Sequence, residues 1–156
     1  MKENSKDLFQ TVLIAEDDAG DYKFLEEAFE KLSPSSNVIR AINGLEYMNY
    51  LKKNEKPDII FLDLNMPVKN GLDCLKFTKE NENLMDVPVV IYSTSHYIRD
   101  IDAAFKNDAH YYIVKPADKN LLADILSTVI NNLANCREKP RKENFVVRVN
   151  EDAEKE

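Results

Sequence analysis

Five short apolar runs alternate with segments of helical periodicity, and this alternation constrains the fold more than any other feature of the chain. The runs have the length and the β-branched content of buried strands, and they lie at residues 11–15, 38–41, 59–62, 87–92 and 111–114. Apolar residues at three- and four-residue spacing follow each run, as in helices that pack one face on a sheet. The alternation predicts an α/β domain with a parallel sheet and helices on both faces.

Two helices carry further predictions. Asp18 is placed to cap the first helix, over residues 19–32, through its side chain. The fourth helix, over residues 96–106, has only a thin apolar stripe of Ile98, Ile101 and Phe105. A helix with so little apolar surface is bound weakly to the sheet and can shift at low cost.

The length of 156 residues and the apolar fraction of 44% suit one soluble domain with a substantial core. We expect this domain to span residues 8–136 and residues 137–156 to form a charged C-terminal tail. Within the tail, residues 144–149 form a short apolar island. It could add a strand to a sheet edge, bind a partner or be disordered, and the polar surroundings favour disorder or weak docking.

Charge and composition exclude several classes of function. A net charge of −7 argues against generic binding to nucleic acids or to membrane surfaces. No stretch approaches the ~20 apolar residues of a membrane span, and the N-terminus is too polar for a secretory signal. Cys74 and Cys136 fit no metal or redox spacing and are expected to be reduced thiols. The sequence therefore predicts a cytoplasmic protein.

Polar side chains directly follow four of the five apolar runs. Glu16 and Asp17 follow the first run, Asp63 the third, Ser93 the fourth and Lys115 the fifth. Because the carboxyl ends of parallel strands lie at one edge of a sheet, we expect these side chains to be neighbours. Each residue alone is most often a cap, a turn residue or a solvated helix start, so only their joint occurrence is informative.

The chemistry of such a group can be stated from its residue types. Clustered carboxylates repel one another and require a cation, and oxygen ligands suit Mg²⁺. Beside such an ion Asp63 stays ionised and can act as a nucleophile toward a phosphoryl group. Lys115 would offer positive charge to the phosphoryl oxygens, and Ser93 a hydroxyl donor.

Four motifs together resemble the receiver domain of two-component response regulators. They lie at residues 12–18, at residues 58–67 with Gly71, at residues 89–94 and at residues 112–116, and the resemblance covers residues 8–135. It implies a flavodoxin-like, doubly wound (βα)5 fold with a five-stranded parallel sheet of order 2-1-3-4-5.

The resemblance also implies a phosphoacceptor and a metal site. Asp63 matches the phosphoacceptor aspartate of the family. Asp17, Asp63 and the backbone carbonyl of Asn65 match the direct ligands of Mg²⁺ or Mn²⁺, and Glu16 matches a residue that acts through water.

Other residues match the parts that bind the phosphoryl group and transmit the signal. Ser93 and Lys115 match the switch hydroxyl and the phosphate-binding lysine, and Tyr112 matches the aromatic residue whose rotamer reports the state. The bond before Pro116 is expected to be cis. Thr94 departs from the usual small residue, and its side chain would narrow access to the phosphoryl group.

The implied function is that of a stand-alone response regulator. It would take a phosphoryl group from a histidine kinase or a histidine phosphotransfer protein. It would then either bind an unknown downstream protein or pass the phosphoryl group on, as a monomer or a phosphorylation-dependent homodimer. Only about twenty residues follow the last helix, too few for a DNA-reading motif, so no direct DNA binding is expected. The length and residues 92–95 are similar to receivers that partner phytochrome-type kinases.

Two other classes of function fit these residues less well. A phosphorylation-independent interaction module, or pseudo-receiver, would lack one of Asp17, Asp63 or Lys115, and all three are present. A phosphatase with an aspartyl nucleophile needs a second Asp two residues later as general acid, and that position is Asn65. We therefore expect no enzymatic activity beyond the chain's own phosphorylation and dephosphorylation.

Overall fold

The computed structural model describes residues 9–148, which form a parallel six-stranded sheet with helices on both faces. The strands are β1 (Thr11–Ala15), β2 (Asn37–Ala41), β3 (Ile59–Leu62), β4 (Val89–Ser93), β5 (Tyr111–Val114) and β6 (Val146–Val147). The helices are α1 (Ala19–Leu32), α2 (Gly44–Lys53), α3 (Gly71–Glu80), α4 (Ile98–Lys106) and α5 (Leu122–Asn135). The strand order is β2-β1-β3-β4-β5-β6. The predicted flavodoxin-like order is confirmed, and one strand is added at the β5 edge.

Side-chain caps set the starts of three helices. Asp18, Asn43 and Asn70 accept hydrogen bonds from backbone N–H groups in the first turns of α1, α2 and α3, at 2.8, 2.8 and 2.9 Å. The predicted role of Asp18 is therefore confirmed. These caps start each helix at a fixed residue, so the loops that carry the polar side chains after β1 and β3 have fixed lengths.

Two apolar layers hold the sheet between the helices. One layer packs α1 and α5 against one face of the sheet, and the other packs α2, α3 and α4 against the opposite face. All four residues of β3 are buried, because helices cover the sheet on both sides. The carboxyl ends of β1 and β3 consequently emerge from the buried interior of the sheet.

Helix α4 is the weakly packed element. It starts at Ile98 without a side-chain cap, two residues later than predicted, and Ala104 is its one fully buried residue. Ile98 is 76% exposed, so the expectation that it joins the apolar stripe is wrong. It lies in the first turn, where the chain enters the helix at the rim of the sheet.

The apolar island of the C-terminal segment is an edge strand. Val146 and Val147 pair in parallel with Tyr112 and Ile113, and Phe145 is fully buried. The expectation of disorder or weak docking is therefore wrong for residues 144–148, because burying the Phe145 ring stabilises the docked segment. Residue 149 lies outside the described part of the chain.

None of the helices in residues 9–148 combines the length and the apolar composition needed to cross a membrane.

Candidate functional site

Three carboxylates meet where β1 and β3 end. Glu16 and Asp17 follow Ala15, and Asp63 follows Leu62. The Asp63 N–H donates to the Ala15 carbonyl at 3.0 Å, which holds the two strand ends side by side. One carboxylate oxygen of Glu16, Asp17 and Asp63 each lies within 4.8 Å of the others. The structure thus brings together the acids that the sequence placed at separate strand ends.

The loop after Asp63 is tightly folded against the strand. The Asn65 N–H donates to Asp63 Oδ1 at 3.1 Å, which orients the carboxylate. A Cβ atom on Gly71 would lie 2.1 Å from the Asp63 carbonyl oxygen, so only glycine lets α3 begin this close to β3. Val68, at the turn of the same loop, has a φ of 72°, which is strained for a β-branched residue. Strain of this kind accumulates at functional loops.

Lys115 extends from the end of β5 into the group of acids. Its Nζ lies 2.5 Å from Glu16 Oε1, 2.9 Å from Asp21 Oδ2 and 3.5 Å from Asp63 Oδ2. The lysine side chain is only 5% exposed. The predicted convergence of Lys115 on Asp63 is present, but the two nearer partners are Glu16 and Asp21.

Asp21 is a member of the site that sequence reasoning missed. It lies in the first turn of α1. An acid at this position is usually solvated and stabilises the helix through the helix dipole. The available signal was its position one turn after the Asp18 cap, on a helix that starts directly beside the predicted pocket.

Burial and mutual repulsion perturb the titration of these groups. Burial, followed by the hydrogen bond and the charge of Asp63, raises the pKa of Glu16 to about 8, although Lys115 opposes the rise. Burial lowers the pKa of Lys115, but the close contacts of its ammonium with the Glu16 and Asp21 carboxylates outweigh burial and leave the pKa above its ordinary value. The pair therefore favours the charged form of Lys115, whereas burial and Asp63 make Glu16 easier to protonate than an ordinary glutamate.

The acid group fits a hard divalent cation. The side chains of Glu16, Asp17 and Asp63 offer only oxygen atoms as metal ligands, and Mg²⁺ prefers oxygen ligands. Within the described residues, Glu16 Oε1 is buried and makes no aligned hydrogen bond despite its proximity to Lys115. A buried oxygen without a hydrogen bond has a lone pair available, and a cation ligated nearby would relieve its desolvation.

The predicted switch residues form a second group on β4 and β5. Ser93 is fully buried, and its Oγ accepts a hydrogen bond from the Ser95 N–H at 3.1 Å. The Tyr112 ring is also fully buried, and its hydroxyl donates to the Ser95 carbonyl at 2.8 Å. Thr94, which lies between Ser93 and Ser95 in the chain, is exposed. Ser95 therefore links the two predicted switch side chains.

The backbone before Pro116 differs from expectation. No peptide bond within residues 9–148 is cis, so the predicted cis bond before Pro116 is wrong. The trans isomer is the intrinsically favoured one for a bond before proline. With a trans bond, the Lys115 N–H still donates to the Ser93 carbonyl at 2.8 Å and the ammonium still reaches the acids.

Comparisons with known proteins agree with this geometry. The family model described as the response regulator receiver domain matches residues 12–127. Response regulator Rcp1 from Synechocystis is 30% identical over 112 residues, which cover 68% of this chain and 76% of that protein.

Two solved structures share the fold. The phosphorylated cyanobacterial phytochrome response regulator RcpA has a TM-score of 0.75 and 28% identity, covering 83% of this chain and 96% of that one. The Mn²⁺-bound form of Rcp1 has a TM-score of 0.75 and 25% identity, covering 85% and 99%. The matched region holds the whole acidic pocket, and the chain belongs to the response regulator receiver domain family.

Proposed function

We propose that this chain accepts a phosphoryl group on Asp63 from a histidine kinase or a histidine phosphotransfer protein, and that the phosphorylated form is read by a partner protein. The observation that carries the proposal is the position of Asp63. Asp63 is only 5% exposed, and its carboxylate lies within 4.8 Å of two other carboxylates and 3.5 Å from the Lys115 ammonium. The partnership of a related receiver with phytochrome suggests the same class of kinase for this chain.

The transfer requires little of the protein beyond positioning and charge. An Asp63 oxygen forms a bond to phosphorus while the phosphorus–nitrogen bond to the donor imidazole breaks, and the imidazole leaves with a proton from solvent. Lys115 offsets the negative charge that the phosphoryl oxygens bring. The Asn65 N–H keeps the second Asp63 oxygen in a fixed orientation.

The acidic residues would hold the divalent cation that such transfers use. Asp17, Asp63 and the backbone carbonyl of Asn65 would bind Mg²⁺ or Mn²⁺ directly, and Glu16 would act through a water. A bound ion would neutralise the phosphoryl oxygens and keep Asp63 ionised. The Mn²⁺-bound Rcp1 structure supports this choice of metal.

The switch would pass through Ser93 and Tyr112. A phosphoryl group on Asp63 offers strong acceptor oxygens, so the Ser93 hydroxyl would turn toward it and release the Ser95 N–H. Because the Tyr112 hydroxyl holds the Ser95 carbonyl, this movement would change the loop before α4. Helix α4 has no side-chain cap and little buried surface, so it would move at low cost.

Labelling with acetyl phosphate and Mg²⁺, followed by intact-protein mass spectrometry, tests the proposal. The wild type should gain one phosphoryl group, and Asp63→Asn should gain none. Asp73→Asn is the matched control, because Asp73 is an exposed acid in the first turn of α3. Equal labelling of Asp63→Asn and wild type would show that Asp63 is not the acceptor. A wild type that gains no phosphoryl group from acetyl phosphate or phosphoramidate would favour the phosphorylation-independent interaction module instead.

A further inference from the structure

Asp21 bridges two lysines at the rim of the acidic pocket. Its Oδ2 lies 2.9 Å from Lys115 Nζ, and its Oδ1 lies 3.5 Å from Lys119 Nζ. The proposed phosphoryl transfer gives Asp21 no role. The carboxylate is nevertheless closer to the Lys115 ammonium than Asp63 is.

The ordinary explanation for Asp21 does not account for this contact. An acid in the first turn of a helix is stabilised by the helix dipole without needing a contact with a particular cation. The backbone N–H of Asp21 already serves the Asp18 cap and does not need the side chain. The Asp21 side chain is 23% exposed but Lys115 is 5% exposed, so their contact lies mainly inside the pocket.

The three carboxylates share one ammonium group. Lys115 has three N–H donors, and it stands at 2.5 Å from Glu16, 2.9 Å from Asp21 and 3.5 Å from Asp63. Burial raises the pKa of Asp21, but Lys115 and then Lys119 outweigh burial and leave the pKa below its ordinary value. Asp21 is thus a charged competitor for the ammonium that a phosphoryl group on Asp63 would need.

We propose that Asp21 is a positioning residue that holds Lys115 toward α1 and away from Asp63, and so weakens the hold of the pocket on a phosphoryl group. The inference rests on the proposed function of Asp63 and Lys115. In the unphosphorylated protein the Asp21 carboxylate holds the Lys115 ammonium on the α1 side of the pocket. When Asp63 is phosphorylated, Lys115 leaves Asp21 and contacts the phosphoryl oxygens. The free energy of the lost Asp21 contact reduces the affinity gained from the new one.

Beryllofluoride binding with Mg²⁺ is the direct test, because this anion mimics a phosphoryl group on a carboxylate. Isothermal titration calorimetry is the suitable readout, since the chain has no tryptophan. Asp21→Asn removes the charge but leaves an amide oxygen that still accepts from Lys115, whereas Asp21→Ala removes both. We expect the affinity to rise about twofold for Asn and about fivefold for Ala, the range of a partly buried ion pair. Asp21→Glu keeps the contact and should restore the wild-type affinity.

Two further comparisons separate positioning from bulk charge. Glu27→Gln removes the same charge from an exposed position of α1 and should change the affinity by less than about 1.5-fold, as expected for a screened surface charge. In a Lys115→Met background, Asp21→Ala should lose its effect, because no ammonium remains to be held. Thermal unfolding by circular dichroism establishes that each variant is folded at the titration temperature, and Asp21→Ser replaces any Ala variant that is not.

The outcomes are distinct. An Asp21→Ala affinity equal to that of Glu27→Gln would overturn the inference, and so would an equal Asp21→Ala effect with and without Lys115. If wild type binds beryllofluoride and labels on Asp63 while every Asp21 variant behaves as wild type, only this inference fails. If wild type neither binds beryllofluoride nor labels, the proposed function fails and the inference fails with it.

Discussion

The acidic pocket and the C-terminal segment, residues 137–148, are stabilised in opposite ways. The pocket sets the carboxylates of Glu16, Asp21 and Asp63 around one buried ammonium, at Lys115. The segment instead buries the Phe145 ring against Phe105 and Tyr112, with centroids 5.1 and 6.1 Å apart. The first arrangement contains repulsion that an added ligand could relieve, whereas the second is complete within the chain.

The polar contacts of each region show the same difference. In the pocket, burial and the neighbouring Asp63 raise the pKa of Glu16 to about 8, so the nearby Lys115 ammonium only partly stabilises the ionised carboxylate. In the C-terminal segment, the Tyr112 N–H donates to the Phe145 carbonyl at 3.0 Å and a short strand follows. Lys142 pairs with Asp102 at 2.5 Å, but half-exposed pairs of this kind contribute little. The pocket therefore keeps charge repulsion between its acids, whereas the C-terminal segment is held by apolar packing and backbone pairing.

Phe145→Ala should have the largest effect on stability. Removing a fully buried aromatic ring costs about 3 kcal/mol of the free energy of unfolding, through lost burial and the cavity left behind. Urea unfolding followed by circular dichroism measures this cost. The variant should bind Mg²⁺ as the wild type does, because the aromatic partners of Phe145 are Phe105 and Tyr112, and neither is a proposed metal ligand.

Phe24→Ala is the matched control, because Phe24 is 41% exposed on α1. The same chemical change there should cost less than about 1 kcal/mol. A Phe145→Ala cost no larger than that of Phe24→Ala would show that the C-terminal segment does not dock in solution.

The pocket could be predicted from the sequence because its members directly follow apolar runs. Asp63 and Lys115 each mark the end of a strand, and parallel topology brings strand ends together whatever their distance in the chain. The helix cap at Asp18 is an equally local signal. The role of Asp21 could not be predicted in this way. An acid inside a helix has no sequence pattern that distinguishes a side chain with a buried contact from one that is solvated.

The docking of the C-terminal segment could not be read from the sequence for a different reason. Its stability depends on contacts of Phe145 with Phe105 and Tyr112, which lie 33 or more residues earlier in the chain. Two strand residues are too few to show an alternating pattern.

His110 should make the protein lose stability in acid. It is nine-tenths buried, its Nε2–H donates to the Arg137 carbonyl at 3.1 Å, and among the described residues Nδ1 has no partner. Burial, then the nearby Lys79 charge, lowers the pKa to about 4 from 6.5, with Lys139 adding to the effect and Asp108 opposing it. Between these values the unfolded chain binds a proton that the native protein does not, so stability falls as pH falls from 6.5 toward 4.

Urea unfolding of wild type and His110→Gln at pH 7 and pH 4.5 measures this loss. The Gln amide can still donate to the Arg137 carbonyl but does not titrate, so the variant should lose about 2 kcal/mol less than wild type over that interval. Parallel loss in both proteins would show that His110 is not buried as a neutral ring, and the C-terminal segment would then be attached less firmly than Phe145 implies.

Glu16, in the acidic pocket, should give a pH dependence of stability opposite in sign to that of His110. Its native pKa is raised from 4.5 to about 8, so without a cation the native protein binds more protons than the unfolded chain and loses stability as pH rises between these values. A divalent cation needs the ionised carboxylate and displaces its proton. Mg²⁺ affinity should therefore rise about tenfold from pH 6.5 to pH 8.5, with most of the gain below the pKa of Glu16. Glu16→Gln, which keeps the shape of the side chain, should flatten that rise. Calorimetric titration of Mg²⁺ into both proteins decides the point: an equal pH dependence would mean that Glu16 stays ionised beside Lys115, and that the pocket is as fully satisfied as the packing around Phe145.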